Sequence, residues 1–422
     1  MKSSIMNTIK VTLSIFCFVA ISIVYSNAFA KQNTFEKIKP CIKICSIDSV
    51  YSNPFFSTFF QPNNLYGMGE ATHGTEEFTK VRCDIFKRMC EQYSDSINCL
   101  FFMEAGYSEV LLIDNFIHSN INNDSTSKHL LKKLGYWTWY NKSLNDLILF
   151  CKTHKNKNKI HVIGADMQFG DAATKNLIHF FSNNNYSLDS LNLILNKIDI
   201  EFNNGTLTRK KSYIYYNLLA KYKDVIEKIS CTESLDKKLA LYNYNALIQY
   251  LELKKGRDIK YDNIRDYYMA QNILLFNRIY KHNIAIFFAH NGHISYRTNE
   301  RLSSYKNAGF LLKENLKENY TAIGTDFKKG SYIGYNNHKH GLSVYISDSL
   351  KRKNHIMNLI PHYNTNTFYQ INKQFTKNII CTDIGGDGRN RRQTWKIKLK
   401  DCYDFLIFYN QTYPTKTYMK LK

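Results

Sequence analysis

Several catalytic signatures are missing from this chain. No serine sits in a Gly-x-Ser-x-Gly elbow, no Cys-x-x-Cys or zinc-ribbon spacing occurs, and no His-Glu-x-x-His is present. The first absence disfavours a serine hydrolase, and the others leave no ready-made thiol or zinc motif. No cysteine lies in a nucleophile motif either. Beyond residue 30 no apolar run reaches membrane length, so no stable membrane span is expected. Proline is scarce, with 5 in 422 residues. The stretch between Asp166 and Ile284 has none, and few glycines, as helices prefer. The formal charge is +22, yet no basic helix or Arg-rich arm gathers it. Lysines scattered among Asn, Ile and Tyr solvate a surface, so nucleic acid is not expected as a partner.

The N-terminus reads as a signal peptide. Lys2 and Lys10 form a basic flank, residues 11–24 an apolar core too short for a good span, and Ala28-Phe29-Ala30 a small-x-small cleavage site before Lys31. A lipoprotein reading through Cys17 is weak, because bulky Phe16 precedes it. The expectation is a leader over residues 1–30 and an exported protein, periplasmic or extracellular, over 31–422. Cys17 falls within the leader, which leaves an odd number of cysteines. Cys41 and Cys45 are spaced to pair with each other or with distant partners, and Cys83 and Cys90 share a helix face.

Short apolar runs alternate with longer amphipathic ones. The fold expected is α/β, a mostly parallel central sheet flanked by helices. Candidate strands cover residues 65–69, 99–104, 160–166, 284–290, 320–327 and 405–410. Helical segments fill 172–181, 187–196, 208–229, 235–255 and 262–280. A helical subdomain at about 172–260 is expected over the C-terminal ends of the strands. Residues 331–400 read as loops and short strands. Five of the strands end in an ionisable residue: Glu70, Glu104, Asp166, His290 and Asp326. In a parallel sheet these converge at one end, where ligands bind.

Two histidine pairs mark that end. Glu70 and His73 stand three apart in Gly69-Glu70-Ala71-Thr72-His73-Gly74-Thr75-Glu76-Glu77-Phe78, between a short buried strand and an amphipathic helix. Histidine exchanges a proton near neutral pH, and the glycines let the chain turn and leave room beside the ring. The alternative is a turn in which Thr72 or Thr75 caps the helix. His290 and His293 follow a second apolar strand in Ala289-His290-Asn291-Gly292-His293. The four residues Glu70, His73, His290 and His293 suit either metal-free acid/base hydrolysis or a divalent metal or haem centre; the metal-free reading, with no cofactor, leads.

The chain resembles the erythromycin esterase family. The Gly69 to Phe78 segment followed by Arg82 is similar to its signature. Further matches come in family order: Phe102-Met103-Glu104-Ala105, Trp137-Thr138-Trp139-Tyr140-Asn141, Gly164-Ala165-Asp166, Asn263 to Ala270, Ala289 to His293, Gly309-Phe310-Leu311-Leu312, Ile323-Gly324-Thr325 and Tyr403 to Ile407. The resemblance spans roughly residues 64 to 415. It implies an ester hydrolase that opens a macrolide lactone with activated water and no required metal, and with it antibiotic resistance. It makes His73 the general base, oriented by Glu70, with His290 a further catalytic group. Arg82, Glu104 and His293 would line the cleft and hold water or substrate. Arg82 and Glu104 otherwise read as an ion pair beneath the site, and Arg265 with Asp266 as a buried pair docking the helical subdomain. Two departures stand out: Gly106-Tyr107 follows the second strand, and the stretch 172–260 matches no family motif. The substrate is therefore open, with another ester or lactone as the alternative.

Overall fold

The six candidate strands are the six consecutive parallel strands of one sheet. The structure, a computed structural model, describes residues 39–422 apart from 122, 185, 187, 231–234, 257, 297–305, 348–353, 361–364, 387 and 389–393. The expected leader at residues 1–30 lies outside the described residues. The strands are β1 (Cys41–Ser46), β2 (Leu65–Glu70), β3 (Asn98–Gly106), β4 (Ile160–Asp166), β5 (Asn283–His290), β6 (Tyr320–Asn336), β7 (Gly341–Ile346), β8 (Thr367–Ile371), β9 (Ile379–Thr382), β10 (Thr394–Ile397) and β11 (Phe405–Thr412). The main sheet runs β1-β8-β11-β6-β2-β5-β3-β4, with β7 paired to the far half of β6. From β11 to β4 every neighbour is parallel, and β1 and β8 are added antiparallel at one edge.

Parallel strands covered on both faces read as unbroken apolar runs, and alternate residues feed two cores. Leu100, Phe102, Ala285 and Phe287 belong to one. Cys99, Phe101, Ile284, Ile286 and Phe288 belong to the other. The second core is closed by α1 (Glu76–Tyr93) and α3 (Lys142–Thr153), with residues of α2 (Tyr107–His118) contributing.

The helical stretch forms α4 (Asp171–Asn183), α5 (Asp189–Asn203), α6 (Arg209–Ala220), α7 (Lys223–Ser230), α8 (Leu235–Lys255) and α9 (Asp258–Ile279). Its buried Leu177, Leu195, Leu219, Leu247 and Met269 share the first core with the sheet. The helix expected over 208–229 is therefore two, α6 and α7. The insertion is continuous with one face of the sheet, and it reaches the strand ends through α9. There Tyr261 receives a hydrogen bond from Gln168, and Arg265 reaches the carboxylates of β3 and β4. The region 331–400 holds more strand than expected. Gly330, at φ 154°, lets β6 continue into its second, antiparallel pairing with β7.

Candidate active site

The strand-end residues meet because the registers are aligned. Glu70 is directly opposite His290 across β2 and β5. Thr75 stands at the N-cap of α1 without a side-chain cap bond, and its hydroxyl is bonded to that of Thr72. His73 is thus free of capping duty. Its Nδ1 is hydrogen-bonded to Glu70 Oε1, while Arg82 donates to Glu70 Oε2 at 2.6 Å. Both carboxylate oxygens are taken, so the imidazole is fixed with Nε2 as its free nitrogen.

Neither Gly69 nor Gly74 has a positive φ, so the sharp-turn role expected of them is not what they serve. They are small because neighbours occupy the space. A Cβ on Gly69 would collide with Asn291 Oδ1, and one on Gly74 would collide with the Ile333 carbonyl.

The family resemblance puts Arg82 in the lining of the cleft, and the structure corrects this. Arg82 is wholly buried behind Glu70, its guanidinium carbon 3.2 Å from the centre of the Phe288 ring. Burial pushes the Glu70 carboxyl up, but Arg82 and His73 outweigh it and hold the group below the ordinary carboxylate range. Burial pulls the His73 imidazole down; the Glu70 carboxylate, helped by Glu104, more than reverses this, and the net shift is upward.

Glu104 pairs with Arg265, not with Arg82. Arg265 Nη2 lies 2.6 Å from Glu104 and 2.6 Å from Asp166. Arg265 and Asp266 do not pair with each other. Asp266 accepts from His293 Nδ1 at 2.8 Å and from the Ala308 N–H at 2.9 Å. His293 Nε2 faces Glu104 at 3.3 Å and the Arg265 guanidinium at 3.0 Å. Burial lowers His293, but Asp266 and Glu104 prevail and push it up to about 10.

The His290 ring sits 5.1 Å from that of His73. Its Nδ1 accepts the Gly292 N–H at 3.3 Å, so the neutral ring carries its proton on Nε2. That Nε2 is buried without a hydrogen-bond partner, 3.5 Å from Asp383. Burial and the neighbouring His73 pull His290 down to about 3, so it is neutral at physiological pH. Burial raises Asp383 to about 7 against the pull of His73 and His293.

Asp383 has no sequence signal beyond the nearby glycines, because long-range bonds place it. Asp326, the fifth strand-end group, is not in the cluster. It is buried to one side and accepts the Thr382 N–H at 3.0 Å, while the Ile384 N–H binds the Ala71 carbonyl at 2.8 Å. These two bonds clamp Asp383 against the end of β2.

A cavity of about 380 Å3 opens over His73, Glu104 and Arg265 and is walled by Tyr136, Trp137, Trp139, Gln168 and Tyr335. His290 and His293 flank it without lining it. Both nitrogens of His293 are engaged by protein groups, and Glu70 is claimed by Arg82 and His73. That arrangement favours proton transfer over joint coordination of a metal by Glu70, His73, His290 and His293.

A Bacillus cereus protein of solved structure shares the fold with a TM-score of 0.72 at 19% identity, over 93% of this chain and 99% of that one. A succinoglycan biosynthesis protein follows at 0.68 and 18%, over 91% and 98%. A mutant of the erythromycin esterase EreC in its open conformation gives 0.61 and 13%, over 83% and 91%. At such identities the likeness concerns the fold alone. No curated protein sequence matches. The Erythromycin esterase family model, however, matches residues 99–412, a stretch that holds Glu104, Asp166, Arg265, His290, His293 and Asp383 and is joined through β2 to Glu70 and His73. By that match the chain belongs to the erythromycin esterase family, a family of hydrolases.

Proposed function

We propose that this protein hydrolyses a carboxylic ester with His73 as general base, and that the ester is the lactone of a macrolide. The observation that carries the reading is the Arg82–Glu70–His73 series, which ends on a free imidazole nitrogen at a cavity. His73 Nε2 takes a proton from water as the water oxygen attacks the ester carbonyl. Glu70 holds the ring and stabilises the imidazolium; Arg82 keeps Glu70 ionised from behind. Arg265, the cation lining the cavity, suits the developing oxyanion, and the neutral His290 ring packs beside His73 without adding a charge to it. When the tetrahedral intermediate collapses, His73 returns its proton to the leaving alkoxide, and acid and alcohol remain. Glu104 and Asp166 hold Arg265 in place, and His293 is braced between Glu104 and Asp266. No metal is needed in this scheme.

The leader read at residues 1–30 supports export, and a secreted macrolide esterase would confer resistance. The cavity volume favours a second reading. About 380 Å3 is near the low end for small-molecule sites, which suits a smaller ester or lactone.

Incubating the purified protein with erythromycin and with smaller lactones, and following product mass, tests both. Gain of one water on erythromycin supports the first reading; gain on the small lactones alone supports the second. His73→Ala is expected to lower kcat by about 10²–10⁴-fold with the fold intact. Near-normal turnover in that variant would sink the mechanism, and loss of activity on chelation would sink its metal-free form.

A further inference from the structure

The opposite end of β4 carries a second cluster of titratable groups. His161 is the second residue of β4, five ahead of Asp166 and so roughly 17 Å from it along the strand. Asp114 and His118 face it from the last two turns of α2. Asp114 Oδ1 accepts the Val162 N–H at 2.9 Å, which leaves Oδ2 toward both histidines. Oδ2 lies 3.5 Å from His118 Nδ1 and 3.7 Å from His161 Nδ1. Those separations exceed hydrogen-bond length, which ends near about 3.2 Å. They are close to the edge of a tetrahedron built on zinc–ligand bonds of about 2.0–2.1 Å, roughly 3.3 Å. The three donor atoms all lie within 4.8 Å of one another.

Two further observations point to a cation as the ligand of this cluster. His161 is 9% exposed, and its Nδ1 is buried with no hydrogen-bond partner. Its ring is held flat against Tyr280, centroids 4.0 Å apart. Both nitrogens of His118 face oxygens: Nε2 is 3.1 Å from the Lys157 carbonyl and Nδ1 is 2.8 Å from that of Asp114. A neutral imidazole satisfies one such oxygen and turns a lone pair toward the other. A metal ion that draws Nδ1 off the Asp114 carbonyl and toward Oδ2 removes the conflict. Donation of Nε2–H to a backbone carbonyl is the usual support of a metal-bound histidine. Beside the cluster is a cavity of about 390 Å3 walled largely by apolar groups, among them Leu111, Tyr242 and Phe276, with Lys238 also in its lining.

We propose that Asp114 Oδ2, His118 Nδ1 and His161 Nδ1 bind a first-row transition-metal dication, with an open coordination position toward this cavity. Two imidazoles and a carboxylate suit zinc and its neighbours rather than calcium or magnesium. The site is separate from the ester-hydrolysing cleft and does not depend on it.

Chelator-stripped protein titrated with Zn2+ against a chromophoric chelator tests this. The wild type is expected to take one equivalent that raises the melting temperature. His118→Gln/His161→Gln should weaken that binding by more than the roughly hundredfold that loss of an outer-shell partner can cost, and leave ester hydrolysis unchanged. His73→Ala/His290→Ala should keep it. Asp114→Asn, which retains an acceptor for Val162, serves if the double variant does not fold. Four-coordinate Co2+ bands should appear in the wild type and vanish in the cluster variants. Equal zinc affinity in the wild type and the cluster variants, or loss of binding only in the His73/His290 pair, would overturn the proposal.

Discussion

At the scale of single residues, the decisive relation is that between Glu70 and His73. The carboxylate fixes which imidazole nitrogen is free and also sets when it is free. Burial pulls the ring down, but Glu70 prevails and raises the His73 pKa above its ordinary 6.5, so at lower pH the ring is already protonated and cannot accept from water. The rate kcat/KM is therefore expected to rise with pH through an apparent pKa above 6.5. In Glu70→Gln the anion is gone and burial dominates, so this limb should move to lower pH. The same change should lower kcat on the order of a hundredfold while KM moves little, because ring orientation matters in the transition state. A pH–rate profile unmoved by Glu70→Gln would count against the pair as a unit. Arg82 belongs to the same series although nothing of it reaches the cavity, and sequence alone could not show that. The spacing places an arginine on the helix that follows Glu70, but only the fold reveals that its side chain points away from substrate and onto the Phe288 ring.

At the scale of elements, the loop between β2 and α1 is held by segments remote in sequence. The Gly74 carbonyl accepts from the Ile333 N–H at 3.0 Å and from the Thr415 N–H at 2.9 Å. The far half of β6 and the C-terminal segment thus both dock on the residue next to His73. Gly74→Ala would drive a methyl group into the Ile333 carbonyl. It is expected to cost about 1–3 kcal/mol in urea unfolding and to lower turnover, since relieving the clash shifts the loop that carries His73. Unchanged stability and activity would show that the contact is slack. Such contacts also mark the limit of what is legible in the chain. The parallel strands can be read because strands buried on both faces are continuous apolar runs, five of which run into an ionisable residue. β1 and β8 cannot: the edge strand β1 leaves Ile42, Lys43 and Ile44 all exposed, and β8 beside it is only 5 residues long. Glu70, Glu104, His290 and His293 are legible as strand ends or their immediate sequel. Asp383 is not, since its place depends on Asp326 and Ala71, each far away in sequence. Arg265 and Asp266 are visible as adjacent opposite charges, yet neighbours in sequence need not be partners in space. On α9 they diverge, Arg265 toward the carboxylates and Asp266 toward His293.

At the scale of the whole molecule, the question is what holds a chain of this size together if it is exported. No disulfide joins the described cysteines, and all of them but Cys45 are buried. Cys41 and Cys45 stand four residues apart on β1, which separates them by roughly 13 Å. A disulfide needs Cα atoms within about 7 Å, so the pairing that their spacing suggests cannot form without unravelling the strand. Burial pushes the Cys83 thiol up to about 12, and raises those of Cys41, Cys90, Cys151 and Cys381 as well. Thiols that do not ionise neither exchange nor oxidise readily, whatever the compartment. Stability then has to come from the two cores on either face of the sheet, which a small disulfide-stapled domain lacks and a chain of this length can build. The expected outcome is that a reductant leaves the melting temperature unchanged. Native alkylation mapped by mass spectrometry should label Cys45 among the described cysteines, and Cys83, Cys90, Cys99 and Cys151 only after unfolding. A drop of several degrees on reduction would mean that a covalent link supplies stability assigned here to packing. Rapid native labelling of the α1 cysteines would mean that the core beneath His73 opens far more readily than its burial implies.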